Sequence, residues 1–178
     1  MNTHKHTTNL KGLVALNNLQ IWADGGCRNN GKPNALGGWG WVAVGDDTEI
    51  TCNYGSSKKL ITNNQNEIMS VTNALQSIVN LKDGFSFEVC MDSAYVVNCI
   101  NDKWYVGWKK NGWKNSKKKP VENKELWIDL LKEVERFGNR LTFSKTKGHS
   151  GVKWNERADE LANKAMDEHE ERRSWGIE

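Results

Sequence analysis

The alternation of apolar and polar residues along the chain predicts five β-strands. In the first strand Leu19, Ile21 and Ala23 fall on one side, polar or larger residues fall on the other, and the pattern ends at Asp24. Turn-forming residues at positions 45–47 predict a hairpin between the second strand and the third. The other predicted strands cover residues 37–44, 49–55, 85–91 and 141–143.

A helical period between apolar positions predicts the remaining elements. Residues 64–79 place Ile68, Val71 and Leu75 on one face, and Asn64 is the expected N-cap. The other predicted helices cover residues 93–101, 104–110, 122–137 and 155–169. Three consecutive strands followed by strand–helix crossovers indicate an α/β fold with a five-stranded mixed sheet flanked by helices.

Length and composition fit one compact domain. The chain has 178 residues, of which 37% are hydrophobic and 26% charged, the balance of an ordinary globular protein. We assign residues 18–170 to the domain, residues 1–17 to a polar N-terminal tail and residues 171–178 to a C-terminal tail. The chain has no apolar run of membrane-spanning length, and its N-terminus lacks the apolar stretch of a secretory signal, so we expect a cytoplasmic protein without a membrane partner.

The cysteines and the N-terminal histidines could be ordinary structural residues, or they could form a disulfide or bind a metal ion. Cys27, Cys52, Cys90 and Cys99 are far apart and form no C-x-x-C pair, which favours buried reduced thiols over a disulfide or a zinc site. The histidines at positions 4–6 favour a solvated tail over an adventitious metal site.

Positive charge is concentrated in one segment. The net charge of the chain is only +3, but residues 103–124 contain eight lysines and a single acid, so the rest of the chain is mildly acidic. A basic segment on an acidic body indicates local contact with a polyanion. We call residues 103–124 the basic arm.

Four acids stand where α/β folds place functional groups. Asp24 and Asp92 end predicted strands, and Glu67 and Asp159 lie in the first turns of predicted helices. Such carboxylates are the hard oxygen ligands that hold two divalent ions for phosphodiester hydrolysis. Each acid also has a simpler interpretation: Asp24 as a turn residue, Glu67 in a capping box with Asn64, Asp92 as an N-cap and Asp159 on a solvated face.

Five segments around these acids resemble the motifs of the type 1 ribonuclease H family. They occur in the family's order and with similar gaps, between about residue 19 and residue 166. The matching segments are residues 22–27 (WADGGC), 62–69 (TNNQNEIM), 91–96 (MDSAYV), 147–151 (KGHSG) and 155–162 (NERADELA).

The resemblance implies a ribonuclease H-like fold and an endonuclease that hydrolyses the RNA strand of RNA–DNA hybrids, leaving 5′-phosphate and 3′-hydroxyl ends. It implies two Mg²⁺ ions in the active site, with Mn²⁺ as a possible substitute. Asp24 would bridge both ions, Glu67 and Asp92 would complete one site, and Asp159 the other. His149, on a glycine-flanked loop, would relay a proton or help the product leave. The implied partner is the hybrid, and we expect the enzyme to be a monomer.

The resemblance also implies where the substrate binds. Asn30, Asn63 and Asn64 match positions that read 2′-hydroxyls and minor-groove edges, and Thr62 matches part of a phosphate pocket. The basic arm resembles the family's basic protrusion, which grips the DNA strand. Its implied contact residues are Trp104, Trp108, Lys109, Lys110, Trp113, Lys114 and Lys118. Packing in the core of the arm is an equally supported role for Trp104 and Trp113.

Three residues depart from the family pattern. Ala94 stands where a substrate-contacting glutamine is common, while Leu60 and Gly107 replace an arginine and an asparagine of the phosphate pocket. These changes bear on DNA-strand binding and not on the chemistry. Two rival functions are another nuclease or transposase of the same fold and a catalytically silent hybrid-binding protein. The histidine loop and the basic arm argue against the first, and the four acids argue against the second.

Overall fold

Strands and helices follow the predicted order. The computed structural model describes residues 18–79, 84–146 and 151–177, so the predicted N-terminal tail lies outside the described residues. The strands are β1 (Leu19–Arg28), β2 (Leu36–Gly45), β3 (Thr48–Ser57), β4 (Phe87–Met91) and β5 (Leu141–Lys145). The helices are α1 (Asn63–Ser77), α2 (Ala94–Asn101), α3 (Trp104–Lys110), α4 (Lys124–Phe137) and α5 (Lys153–Ser174).

The strands form one mixed sheet in the order β3-β2-β1-β4-β5. β2 pairs antiparallel with β1 and with β3, whereas β1, β4 and β5 are parallel. The predicted α/β fold with a five-stranded mixed sheet is therefore confirmed. The β2–β3 hairpin turns through Asp46 and Asp47, whose φ values of 49° and 58° are both positive, as a type I′ turn requires.

Helices cover both faces of the sheet. On one face α1, α2 and α4 enclose the main apolar core. On the other face α5 crosses β2, where Gly38 and Gly40 leave room for it. A Cβ atom at Gly40 would lie 2.6 Å from the Cβ of Leu161, so the close contact depends on the missing side chain. This contact fixes α5, and with it Asp159, against the sheet.

The predicted end of the first strand at Asp24 is wrong. β1 continues to Arg28 because β2 keeps pairing with it as far as Leu36. Only the parallel pairing with β4 stops earlier, at Trp22. Asp24 is therefore still paired with β2 but lies beyond the region in which β1 pairs with β4.

The predicted cap of α1 is also wrong. The helix begins at Asn63, and its N-cap is Thr62 rather than Asn64. Thr62 Oγ1 accepts a hydrogen bond from the Gln65 N–H at 3.2 Å, and Gln65 Oε1 accepts one from the Thr62 N–H at 3.2 Å. This capping box does not involve the glutamate of the helix, which is left for another role. Val79 lies beyond the helix and is 37% exposed.

The last helix is longer than predicted at both ends. Because α5 covers Lys153–Ser174, Asp159 lies in its second turn rather than the first, and Glu67 likewise lies in the second turn of α1. Near the end of α5, the Arg28 guanidinium pairs with Asp167 at 2.7 Å. The helix continues past residue 170, where the C-terminal tail was predicted to begin.

All four cysteines are described, and none forms a disulfide. Cys90 and Cys99 are buried, as predicted for reduced thiols, whereas Cys27 and Cys52 are only half-buried. Within the described ranges, no helix combines the length and the apolar character needed to cross a membrane.

Candidate metal and nucleic-acid site

Two aspartates lie at the end of the sheet where β1 and β4 separate. The parallel pairing of these strands ends at Trp22 and Cys90. Asp24 follows two residues later within β1, and Asp92 follows two residues later, directly after the end of β4. The carboxyl ends of parallel strands are where α/β folds place ligands. Asp24 remains paired with Gly40 of β2, which fixes its backbone.

Helix α1 brings a third acid to this place because Gly25 has no side chain. A Cβ atom at Gly25 would lie 2.2 Å from the carbonyl carbon of Asn66 and 2.4 Å from the amide nitrogen of Glu67. The backbone of α1 thus passes directly over β1. The Asn66 side-chain amide donates to the carbonyls of Leu60 and Thr62 at 3.0 and 2.9 Å, which fixes the start of the helix.

Asp24, Glu67 and Asp92 form a compact carboxylate cluster. One oxygen of each lies within 4.8 Å of the others, and Asp24 and Glu67 are each only 9% exposed. Asp24 Oδ1 accepts a hydrogen bond from the Gly25 N–H at 2.8 Å. Glu67 Oε2 is buried without a hydrogen-bond partner among the described residues. Since buried polar atoms are normally paired, this oxygen indicates a place for a cation.

Burial and mutual repulsion change the acidity of the cluster. The pKa of Asp24 is raised from 3.8 to about 7, first by burial and then by the charges of Asp92 and Asp159, while the hydrogen bond from the Gly25 N–H opposes the increase. Burial also raises the pKa of Glu67 well above its ordinary range, with the charges of Asp24 and Asp92 adding to the effect. A bound divalent cation would compensate the negative charges that cause this repulsion.

The fourth predicted acid lies near the cluster but is not one of its members. Asp159 is exposed on α5, and its charge still contributes to the raised pKa of Asp24. The Asn163 side-chain amide donates to Asp159 Oδ1 at 3.2 Å and to the Asp159 carbonyl at 3.0 Å. Asn163 thereby restricts the orientation of the carboxylate. The sequence prediction missed this residue, although its position four residues after Asp159 on a helix was a usable signal.

Polar contacts anchor the start of α5 to the β2–β3 hairpin. Trp154 Nε1 donates to Asp47 Oδ1 at 2.8 Å. The Arg157 guanidinium contacts both carboxylate oxygens of Glu49, at 3.1 and 3.4 Å. Because Asp159 follows two residues later, these contacts help to set its position relative to the sheet.

The predicted histidine loop falls between two described segments. His149 lies outside the described residues, so its role stays a prediction. On one side of the loop, the Thr146 N–H donates to the Met91 carbonyl at 2.9 Å, next to the strand end that precedes Asp92. On the other side, α5 begins at Lys153. Both ends of the loop are therefore attached to elements that carry acids.

The predicted minor-groove residues lie in two segments, the loop between β1 and β2 and the start of α1. Asn30 is in the loop between these strands, and Asn63 and Asn64 open α1; all three are exposed. A Cβ atom at Gly37 of β2 would lie 2.0 Å from the Leu60 carbonyl oxygen, so the start of α1 touches this end of the sheet. The asparagine side chains have no hydrogen-bond partner in the part of the chain that is described, whereas the hydroxyl of their neighbour at position 62 serves the cap.

Aromatic contacts join the basic arm to the core. The Trp108 ring centroid lies 5.7 Å from that of Trp127, which is fully buried, and 6.2 Å from that of Trp113. Trp104 follows at 6.5 Å from Trp108 and is 39% exposed. These contacts favour a role in packing the arm for Trp113 and also for Trp108. Trp104 is partly exposed, so its side chain remains accessible at the surface.

The arm lysines differ in their pairing. Lys109 Nζ lies 2.5 Å from Glu135 Oε1, so its charge is partly compensated. Lys110, Lys114 and Lys118 are exposed and form no ion pair with the described residues. The predicted phosphate contacts are therefore electrostatically unequal, and Lys109 is the one with a competing partner.

The three departures from the family pattern cause no packing defect. Gly107 is exposed on α3 with open space where a side chain would stand. Leu60 is half-buried, and its carbonyl accepts from the Asn66 side chain. Ala94 is the half-buried first residue of α2. The polar side chains that are common at these positions in the family are therefore absent here, although Lys59 is adjacent to Leu60 in the sequence.

Known proteins share both the sequence and the fold. The family model described as RNase H matches residues 17–167. A protein named Ribonuclease H from Clostridium botulinum is 42% identical over 152 residues, which cover 83% of this chain and 95% of the relative. The solved structure of LC9-RNase H1, a type 1 RNase H with the type 2 active-site motif, is 27% identical with a TM-score of 0.70 and covers 83% of this chain and 71% of that one.

A second solved structure shows the same fold at lower identity. It is LC11-RNase H1 in complex with an RNA/DNA hybrid, 23% identical with a TM-score of 0.60. The match covers 85% of this chain and 98% of that one.

Proposed function

This chain belongs to the RNase H family, and we propose that it acts as an endonuclease on the RNA strand of RNA–DNA hybrids. The observation that carries the proposal is the cluster of Asp24, Glu67 and Asp92 at the carboxyl end of the parallel strands, with one buried glutamate oxygen unpaired among the described residues. Support also comes from LC11-RNase H1, which has the same fold and was solved with an RNA/DNA hybrid.

The carboxylate cluster suits a divalent ion, and we propose Mg²⁺, with Mn²⁺ as a substitute. Its oxygens are the ligand type that Mg²⁺ prefers, and their crowding leaves negative charge for a cation to compensate. For two ions, Asp24 would serve both sites, Glu67 and Asp92 would complete one site, and Asp159 would contribute to the other. When bound, the ions supply Lewis-acid stabilisation of the scissile phosphate.

Hydrolysis that leaves a 5′-phosphate and a 3′-hydroxyl requires a proton at the departing 3′ oxygen. We assign the relay of this proton, or assistance to product release, to His149. Of the described segments that flank it, one ends at Thr146, whose N–H donates to the Met91 carbonyl next to Asp92, and the other leads into α5, which carries Asp159. That placement supports the assignment.

Substrate recognition is assigned to two separate surfaces. Asn30, Asn63 and Asn64 would contact 2′-hydroxyls and minor-groove edges, because the 2′-hydroxyl is what separates RNA from DNA. Thr62 and the basic arm would bind phosphates of the DNA strand, with Trp104 resting against the sugars. That the enzyme is a monomer and acts in the cytoplasm stays a prediction.

A cleavage assay on end-labelled substrates tests the proposal. We expect internal cuts in the RNA strand of a hybrid with Mg²⁺, no cuts with EDTA, and no cuts in duplex DNA or duplex RNA. Asp24→Asn should abolish cleavage, while Asp129→Asn, which changes an exposed aspartate on α4, should leave it intact. Cleavage of duplex DNA would instead indicate another nuclease of this fold. Hybrid binding without Mg²⁺-dependent cleavage would indicate a silent binding protein.

A further inference from the structure

The outer end of the basic arm is closed by its own backbone. We call residues 114–120 the tip loop, whose first and last residues form an isolated antiparallel bridge. Within it the Asn115 N–H donates to the Lys119 carbonyl at 2.8 Å, and the Lys118 N–H donates to the Asn115 carbonyl at 2.9 Å. The loop therefore has a defined conformation although its lysines are exposed.

One side chain completes this closure. Asn115 Oδ1 accepts hydrogen bonds from the N–H groups of both Lys117 and Lys119, each at 3.0 Å. Between them Lys118 has a φ of 60°, a left-handed conformation that is unfavourable for residues other than glycine. Asparagine is suited to such turns because its side chain replaces a backbone acceptor. The amide of Asn115 thus maintains a conformation that the lysines would not hold by themselves.

The tip loop is also fixed relative to the body of the protein. The Val121 N–H donates to the Trp113 carbonyl at 2.9 Å, and the Trp113 N–H donates to the Trp108 carbonyl at 2.6 Å. Val121 is 7% exposed, and Trp108 packs on the buried Trp127. The position of the loop is therefore set by the core, and Asn115 sets its internal shape.

The tip loop presents a run of unpaired positive charge. Lys117, Lys118 and Lys119 are exposed, and none of them pairs with an acid in the described part of the chain. In this they differ from Lys109, which contacts Glu135. Adjacent ammonium groups on a closed loop are complementary to closely spaced anions, and a nucleic-acid backbone is such a ligand.

We propose that Asn115 is a positioning residue for substrate binding, because its side-chain amide holds Lys117, Lys118 and Lys119 as a fixed array against the phosphates of the hybrid. This inference rests on the proposed function, which makes the hybrid the ligand. A loop that is ordered before binding loses less conformational entropy on binding. Removing the amide should therefore weaken binding without removing a charge.

Fluorescence anisotropy with a labelled hybrid in EDTA, at several salt concentrations, tests the proposal. Asn115→Ala should raise Kd about three- to tenfold, the cost of ordering the loop, and leave the slope of log Kd against log salt unchanged. The triple variant Lys117→Gln, Lys118→Gln, Lys119→Gln should also raise Kd but reduce that slope by up to ~0.9 for each lost phosphate contact. The two kinds of variant thus separate preorganisation from charge.

Two further variants control for indirect effects. Asn115→Thr retains an oxygen that accepts the same N–H groups more weakly, so it should restore part of the affinity. Ser116→Ala changes the neighbouring residue, whose hydroxyl has no partner in the described chain, and should leave Kd unchanged. In cleavage assays Asn115→Ala should raise KM and leave kcat within about twofold, as expected for uniform binding.

An unchanged Kd for Asn115→Ala would overturn the proposal, and so would a salt slope reduced as far as in the triple variant. Equal Kd values for Asn115→Ala and Asn115→Thr would overturn it as well. If the unsubstituted chain binds the hybrid but does not cut it with Mg²⁺, the proposed function alone fails, because the anisotropy comparison needs no cleavage. If it does not bind the hybrid, both fail.

Discussion

Replacing Asp24 by asparagine should stabilise the metal-free protein while abolishing cleavage. In the fold the pKa of Asp24 is raised from 3.8 to about 7, first by burial and then by the charge of Asp92. The folded state therefore binds a proton more tightly than the unfolded state does. The free energy of unfolding consequently falls as pH rises from about 4 to about 7 in the absence of a metal ion. Asparagine keeps an acceptor for the Gly25 N–H but never carries the charge.

The size of the effect follows from the pKa difference. A change from 3.8 to about 7 corresponds to about 4 kcal/mol above neutral pH, at about 1.4 kcal/mol for each pKa unit. Relaxation around the site reduces the gain, so we expect about 1–2 kcal/mol at pH 8. For a chain of this length that is about 2–8 °C in Tm. Near pH 5 the difference should be smaller, because Asp24 is then protonated in the fold.

Thermal unfolding in EDTA, followed by circular dichroism, measures the difference in stability between Asp24→Asn and the parent at pH 5 and at pH 8. Asp129→Asn serves as the matched control, since Asp129 is an exposed aspartate on α4 and is not a member of the cluster. Adding Mg²⁺ at pH 8 should raise the Tm of the parent more than that of Asp24→Asn, because only the parent has the complete ligand set. A variant that is no more stable than the parent at pH 8, or equally stabilised at both pH values, would refute the reasoning.

Three other changes test separate parts of the structure. His149→Ala should lower kcat by about 10²–10⁴-fold with an unchanged Mg²⁺ isotherm; loss of metal binding would make His149 a ligand instead. Asn163→Ala should weaken the binding of a second ion by up to about tenfold in calorimetry, because Asp159 loses its orienting partner; an identical isotherm would contradict this. Gly40→Ala should destabilise the fold by about 2–3 kcal/mol in urea titrations, because its Cβ would press on Leu161; a change below about 0.5 kcal/mol would exclude that contact as important.

The fold was predictable because hydrophobic periodicity directly reports which residues face the core. The order of strands and helices and the mixed sheet followed from it. Boundaries failed where tertiary pairing prevailed over local pattern. β1 runs through Gly25 and Gly26, which local propensity assigns to a turn, because β2 pairs with them. At α1 the reciprocal bonds of Thr62 and Gln65 determined the start of the helix, and the apolar pattern does not reveal them.

The motifs pointed to the acids of the candidate site but not to how these acids are arranged in space. Asp24, Glu67 and Asp92 converge because Gly25 lets α1 approach β1. The sequence alone does not show which part of the backbone will pack against a given glycine. The separation of Asp159 from that cluster could not be predicted, because it depends on how α5 is seated on β2. Sequence shows which acids are present, whereas the packing of two helices on opposite faces determines how they group.

The number of lysines alone does not describe the basic arm, because the arm is also ordered by packing and hydrogen bonds. Leu60 and Gly107 stand where the phosphate pocket of the family commonly has polar residues. Under the proposed function, the lysines of the arm would therefore provide more of the electrostatic attraction to the hybrid. Eight lysines in residues 103–124 would do so weakly if each were mobile, since every ordered side chain costs entropy on binding. Packing of Trp108 against Trp127 and closure of the tip loop by Asn115 order the arm, which would reduce this cost before any binding takes place. Under the proposed function, the affinity of this arm for the hybrid would therefore depend on the shape of the tip loop as well as on the number of its charges.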